Sequence, residues 1–271
     1  MVRRQLNQPG FLRLATLTYM TSDRFYFRQL LSGRDFATDD PMASQMANFV
    51  YLIGDRETRD AIVVDPAYGV TDILGILDRD DMNLCGVLAS HYHPDHVGGS
   101  MMGHTIEGVR ELLDIKGTKI HVQAEEADMV KKVTEVGDGD LEVHQPGDHI
   151  LVGDIRIDLL HTPGHTPGSQ CFLVEGTLVA GDTLFLEGCG RTDLPGSDAA
   201  AMYHSLHHTL AKIPDDTVLF PGHRYSFHSS ATMGMTREMN YVFKPESEEQ
   251  WICLLYTSDA ADEGLGVDLG G

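Results

Sequence analysis

The stretch Ser90–Gly99, SHYHPDHVGG, gathers His91, His93, Asp95 and His96 into six consecutive positions. Imidazole and carboxylate are electron-pair donors, and a His/Asp set without Cys suits zinc, iron or manganese rather than a soft ion. The apolar run before it, Cys85–Ser90, reads as a buried strand, and Pro94, Gly98 and Gly99 break the chain after it. In an extended segment alternate side chains face one way. His91 and His93 can therefore meet at one point while Asp95 and His96 turn to another.

Three later segments repeat the arrangement with one donor each. IRIDLLHTPGHTPGS brings His165, TLVAGDTLF brings Asp182 and TVLFPGHRY brings His223. Each donor lies in or beside a Gly or Pro turn at the end of an apolar, β-forming run. Four strand ends are expected to converge on one metal site.

The elements that must carry these ends follow from periodicity. NFVYLIG and AIVVDPA read as an early strand pair, followed by a helix over Val70–Arg79 and then the donor strand. Further helices are expected in TIEGVRELLDI and AEEADMVKKVTEV. HILVGDIRIDLLHT and SQCFLVEGTLVAGDT alternate apolar and polar residues, with Gly153 and Gly176 as hairpin turns. SDAAAMYHSLHHTLAKI reads as a helix with Ser197 as N-cap and Met202, Leu206, Leu210 and Ile213 on one face. Its His204, His207 and His208 have no accompanying carboxylate in the sequence and read as flanks of the apolar stripe. His104, His121, His144, His149, His161 and His228 likewise show no ligand spacing and are expected at the surface or behind the ligands. Strands alternating with helices imply a layered α/β sandwich rather than an all-β barrel.

His-x-His-x-Asp-His, Gly-His-Thr-x-Gly, Gly-Asp and Gly-His together resemble the metallo-β-lactamase superfamily, from about Asn48 to about Lys244. The resemblance implies an αββα sandwich. It implies that His91, His93 and His165 hold one divalent metal, that Asp95, His96 and His223 hold a second, and that Asp182 bridges them. Asp95 and Asp182 are expected to serve catalysis as well as ligation. Zinc is the first expectation, with iron or manganese as substitutes. Such a pair would hold a bridging water acidified towards pH 7, so that hydroxide attacks an acyl carbon and a thiolate departs without needing a proton.

GDTLFLEGCGRTDLPGS and PGHRYSFHSS look like the glyoxalase II and persulfide dioxygenase branches, which act on small thiol conjugates. By that likeness Arg191 and Tyr225 contact the thiol. The complete second-metal set speaks for a hydroxyacylglutathione hydrolase-like enzyme. GCGRTD and YLIGDRETRDAIVVDP speak for the dioxygenase, in which one Fe(II) is held by His91, His165 and Asp182. A non-catalytic metal-binding scaffold would be expected to lack a ligand position, and none is missing. The zinc β-lactamases differ in having Cys at the place of Asp182. The segment from His96 to His165 is long enough to wall the cleft and recognise substrate.

The chain has 271 residues and a formal net charge of −21, an acidity that opposes nucleic acid and anionic lipid surfaces. No run approaches the roughly 20 apolar residues of a membrane span, so the expected setting is cytoplasmic and the expected partner a small thiol conjugate. Residues 20–252 are expected to form one domain, with residues 1–19 an extension ahead of a start at Met20. CLLYTSDAADE can be back-translated into a transposon-end adaptor, and Cys253–Gly271 shows no helical or strand periodicity. Residues 253–271 are therefore expected to be a non-native tail whose removal leaves folding unchanged. Cys85 and Cys171 read as small core residues, and Cys189 lies near the site with nothing to activate it.

Overall fold

Side chains of Phe49–Asp55 (β2) alternate between two cores, as a strand buried on both faces requires. Val50 and Leu52 enter one cluster while Phe49, Tyr51 and Ile53 enter another. The computed structural model describes residues 23–263, so the expected extension 1–19, the start at Met20 and the end of the tail lie outside the described residues. One six-stranded sheet runs in the order β1 (Phe25–Leu31), β2, β3 (Asp60–Val64), β4 (Asn83–Leu88), β7 (Ile120–Gln123) and β8 (Leu141–His144). A small hairpin, β5 (Gly99–Met101) and β6 (His104–Ile106), stands apart. The second six-stranded sheet comprises β9 (His149–Val152), β10 (Ile155–His161), β11 (Gln170–Val174), β12 (Thr177–Val179), β13 (Val218–Phe220) and β14 (Ala231–Thr232), adjacent in that order.

The two sheets face each other across Phe49, Tyr51, Ile62 and Leu88 from one side and Ile157, Leu159, Phe172 and Val179 from the other. The outer face of the first sheet is covered by α1 (Pro41–Met46), α2 (Val70–Arg79), α4 (Val109–Ile115) and α5 (Ala127–Thr134), and α3 (Pro94–Val97) carries part of the donor loop. The second is covered by α6 (Ala199–His204) with its continuation to Lys212, α7 (Met233–Met239) and α8 (Glu248–Glu263). These are the expected αββα layers. Both parallel pairings that bracket the site, β3 with β4 and β12 with β13, are bridged by a helix that returns the chain to the same end of its sheet. The donors at the ends of β4, β10, β12 and β13 thus share one edge of the sandwich.

Several local expectations need correction. β1 was not anticipated, although Phe25 and Leu31 pack between the sheets. The helix expected in TIEGVRELLDI begins only at Val109, because residues 104–106 pair with β5 and Glu111 Oε2 accepts from the backbone N–H of Gly108 at 2.8 Å. Asp198, not Ser197, caps α6. Its side chain accepts from Ala201 N at 3.0 Å, while the Ser197 hydroxyl is committed to Leu194 O at 2.6 Å. The helix then opens into a π turn over Ser205–Thr209, with Met202, Leu206, Leu210 and Ile213 buried on one face as expected. Cys85 is exposed rather than in the core, whereas Cys171 is buried. α8 crosses the expected boundary at Ile252, and Leu254 and Leu255 pack against the same cluster as Trp251.

Candidate metal centre

β4 ends at Leu88, and the chain turns through Ser90 under the hold of Asp65, which accepts from Ser90 N at 2.7 Å and Ser90 Oγ at 2.6 Å. His91 and His93 follow, His93 in extended conformation, and Pro94 starts α3, which carries Asp95 and His96. His165 sits in the loop after β10, Asp182 in the turn after β12 and His223 just beyond β13. Gly181 has φ +48°, and a Cβ there would meet Ser90 Oγ at 2.6 Å, so glycine lets the Asp182 turn close on the donor strand.

The seven expected donors come together. His93 Nδ1 lies 3.0 Å from both His91 Nε2 and His165 Nε2. On the other side His96 Nε2 and His223 Nε2 are 3.2 Å apart, with Asp95 Oδ2 3.6 and 3.4 Å from them. Asp182 faces both groups: Oδ2 is 3.8 Å from His165 Nε2 and 3.3 Å from His223 Nε2, and Oδ1 is 3.5 Å from His96 Nε2. In each of the triads His91/His93/His165 and Asp95/His96/His223 the donor atoms lie within 4.8 Å of one another.

The outward nitrogens explain why so many lone pairs can point at one place. His96 Nδ1 is 2.9 Å from Asp65 Oδ2, His165 Nδ1 is 2.9 Å from Arg191 O, and His223 Nδ1 is 2.9 Å from Met46 O. Those partners only accept, so each ring carries its proton outward and its free nitrogen inward. His91 Nδ1 meets Ser90 Oγ at 2.9 Å, and Ser90 already donates to Asp65, so His91 follows the same rule. Asp182 Oδ1 is buried with no hydrogen-bond partner. A buried, unpartnered carboxylate oxygen beside inward imidazole lone pairs fits a divalent cation of the borderline class.

The two donor groups differ in their electrostatics. Burial, followed by the neighbouring imidazoles, pushes His91 well down and His93 to about 4. Burial also opposes charge on His96 and His223, but Asp182 and Asp95 outweigh it and raise both. The two carboxylates in turn are held below the usual range, because His96 and His223 overcome their desolvation.

The centre floors a cleft of about 1140 Å³ whose walls include Met46, Met101, Phe185, Leu194, Tyr225 and Tyr241. Of the long segment between His96 and His165, only Ser100, Met101 and Met102 of the β5–β6 hairpin line it, so the expected walling by that segment is confined to the hairpin. Tyr225 stacks on His223 with ring centroids 4.7 Å apart and meets Phe185 edge-on at 5.0 Å. Arg191 lines the cleft, but its guanidinium makes a two-pronged contact with Asp193 at 2.8 and 2.6 Å. Burial pushes the Cys189 thiol up to about 12, which keeps it protonated in the cleft wall. His204 has a carboxylate neighbour after all, Glu248 from α8 at 3.1 Å, and His121 and His144 pair with each other at 2.8 Å. Asp65, Asn48 and Glu126 were not singled out from the sequence. Their partners come from other strands, and only the buried hydrogen bonds of the folded chain reveal them.

Comparison with known proteins shows the family. The family model of the metallo-beta-lactamase superfamily matches residues 44–223. A probable polyketide biosynthesis zinc-dependent hydrolase, BaeB of Bacillus velezensis, is 31% identical over 206 residues, covering 76% of this chain and 86% of that protein. The mitochondrial persulfide dioxygenase ETHE1 of Homo sapiens is 28% identical over 197 residues, covering 71% of this chain and 70% of that one. The crystal structure of ETHE1 from Myxococcus xanthus aligns with a TM-score of 0.70 at 26% identity, over 86% of this chain and 91% of its own.

Proposed function

This chain belongs to the metallo-beta-lactamase superfamily, and on that premise we propose that it is a metal-dependent hydrolase of thioesters of a small thiol, similar to the hydroxyacylglutathione hydrolases. The observation that carries this reading is the equal preparation of both donor triads. His96 and His223 have outward anchors as good as those of His91 and His165, all at 2.9 Å. Anchoring two further imidazoles in a buried site is what a second working metal requires. Two divalent ions, when bound, would supply Lewis acidity and lower the pKa of water at neutral pH.

The residues of the chain do the rest. Asp182 faces both triads and would neutralise charge at each. The apolar walls at Phe185 and Tyr225 would keep water from the substrate arm, and the protonated Cys189 leaves the site without a competing nucleophile. Water would add to the acyl carbon as its proton passes to the Asp95 carboxylate and on to solvent, the carbon–sulfur bond would break, and the thiolate would depart without a general acid, leaving the carboxylic acid to ionise. The named substrate contacts, Tyr225 and Arg191, belong to this proposal. Tyr225 presents a fixed ring, whereas Arg191 would have to share its guanidinium with Asp193.

A second reading, a mononuclear Fe(II) persulfide dioxygenase, draws on the likeness to the ETHE1 proteins. The two separate on metal content and oxygen uptake. Protein purified without added metal should hold two divalent ions per chain, hydrolyse thioesters and consume no oxygen with glutathione persulfide. His223→Ala should then lose one ion and on the order of a hundredfold or more in rate. A single iron retained in that variant, together with oxygen uptake, would decide for the dioxygenase.

A further inference from the structure

Glu126, in the loop between β7 and α5, is a carboxylate only 1% exposed, and no cation pairs with it among the described residues. Its Oε1 accepts from Tyr92 N at 2.7 Å and from Thr166 Oγ1 at 2.8 Å, and its Oε2 accepts from Gly168 N at 2.7 Å. Tyr92 separates His91 from His93, and Thr166 follows His165. One side chain from the first sheet thus grips the donor loop of its own sheet and the donor loop of the other.

We propose that Glu126 is a positioning residue of the metal centre, setting the spacing of the His91/His93/His165 triad by tying its two loops together. The carboxylate form matters because donors arrive at both oxygens. A Gln offers one acceptor and would turn an N–H towards either Gly168 N or the Tyr92 and Thr166 donors. The approach is close: a Cβ at Gly168 would meet the backbone N of Glu126 at 2.5 Å and Oε2 at 2.6 Å. The other triad does not depend on this tie. His96 and His223 are oriented by Asp65 and Met46, and Asp95 accepts from Asn48 Nδ2 at 3.2 Å.

The proposal rests on the metal reading of the site but not on the reaction. Its test is cobalt(II) titration of the metal-free full chain, followed by visible absorption and chelator competition. In Glu126→Gln, one of two cobalt equivalents should bind about ten- to hundredfold more weakly, with altered absorption bands, while the other holds. Thr166→Val, which removes a single donor, should shift the same equivalent less and keeps the test open if the Gln variant folds poorly. Unchanged affinity and spectrum in both variants would overturn the proposal. A lowered melting temperature of the metal-free protein with both affinities intact would also overturn it, by assigning Glu126 to the fold alone. Wild-type protein that takes up no cobalt would sink the metal reading and this proposal with it.

Discussion

Asp182 has the most demanding position of any side chain in the site, since it faces both donor triads with one oxygen lacking any hydrogen bond. Asp182→Asn replaces that anionic oxygen with an amide and removes the charge that balances the cations. It should reduce metal retained after dialysis and cut turnover by on the order of a hundredfold or more, with the circular dichroism of the fold unchanged. An Asn variant with full metal content and near-normal turnover would show that the centre lies elsewhere. The seven donors were legible in the sequence because each sits in or beside a Gly or Pro turn after an apolar run, and because the set resembles that of the metallo-β-lactamase superfamily. What positions them was not legible. Asp65 lies 31 residues from His96 and Asn48 lies 47 from Asp95, so no local spacing announces either pair.

Among the elements, those with strong periodicity were read correctly and those defined by a partner were not. α2 was read with its observed bounds, since ten residues place Val70, Ile73, Ile76 and Leu77 on one face. The start of α4 depended on a strand pairing that Gly99–Met101 supplies from outside the window. α8 departs from expectation past Ile252, where Cys253–Gly271 was read as having no helical periodicity and Leu254 and Leu255 instead pack against the cluster. Trp251 is fully buried and donates through Nε1 to Ala199 O at 2.7 Å, tying α8 to the first turn of α6. Trp251→Ala should cost about 3–5 kcal/mol in a denaturant titration, the range for large buried aromatics. Truncation after Ile252, which removes the partly buried Leu254 and Leu255, should cost a smaller amount, about 1–2 kcal/mol. Identical midpoints for the truncated and full chains would restore the dispensable tail.

The molecule reads as four layers; the alternation of strands and helices made a layered α/β sandwich legible, and the order αββα came from the resemblance to the metallo-β-lactamase superfamily. Among the described residues no helix is long and apolar enough to cross a membrane. Acid stability is a property of this scale. Burial and the facing His144 push His121 down to about 4, with Glu142 pulling weakly the other way, against 6.5 for the free side chain. His121 is then neutral in the fold at a pH where the unfolded chain takes up a proton, so stability is full above about 6.5 and is lost as pH falls towards 4. In metal-free protein His121→Gln should flatten the dependence of unfolding free energy on pH in that window by up to one proton. An unchanged slope would mean that the pair does not carry it. The placement of the donors has a further consequence. His91, His93, Asp95 and His96 belong to one sheet and His165, Asp182 and His223 to the other, so ions held by both would act as rivets across the sandwich seam. Their binding adds to folding by mass action, growing with the logarithm of free metal concentration. A cell short of metal would then hold a folded but less stable chain, with a larger unfolded fraction open to proteolysis.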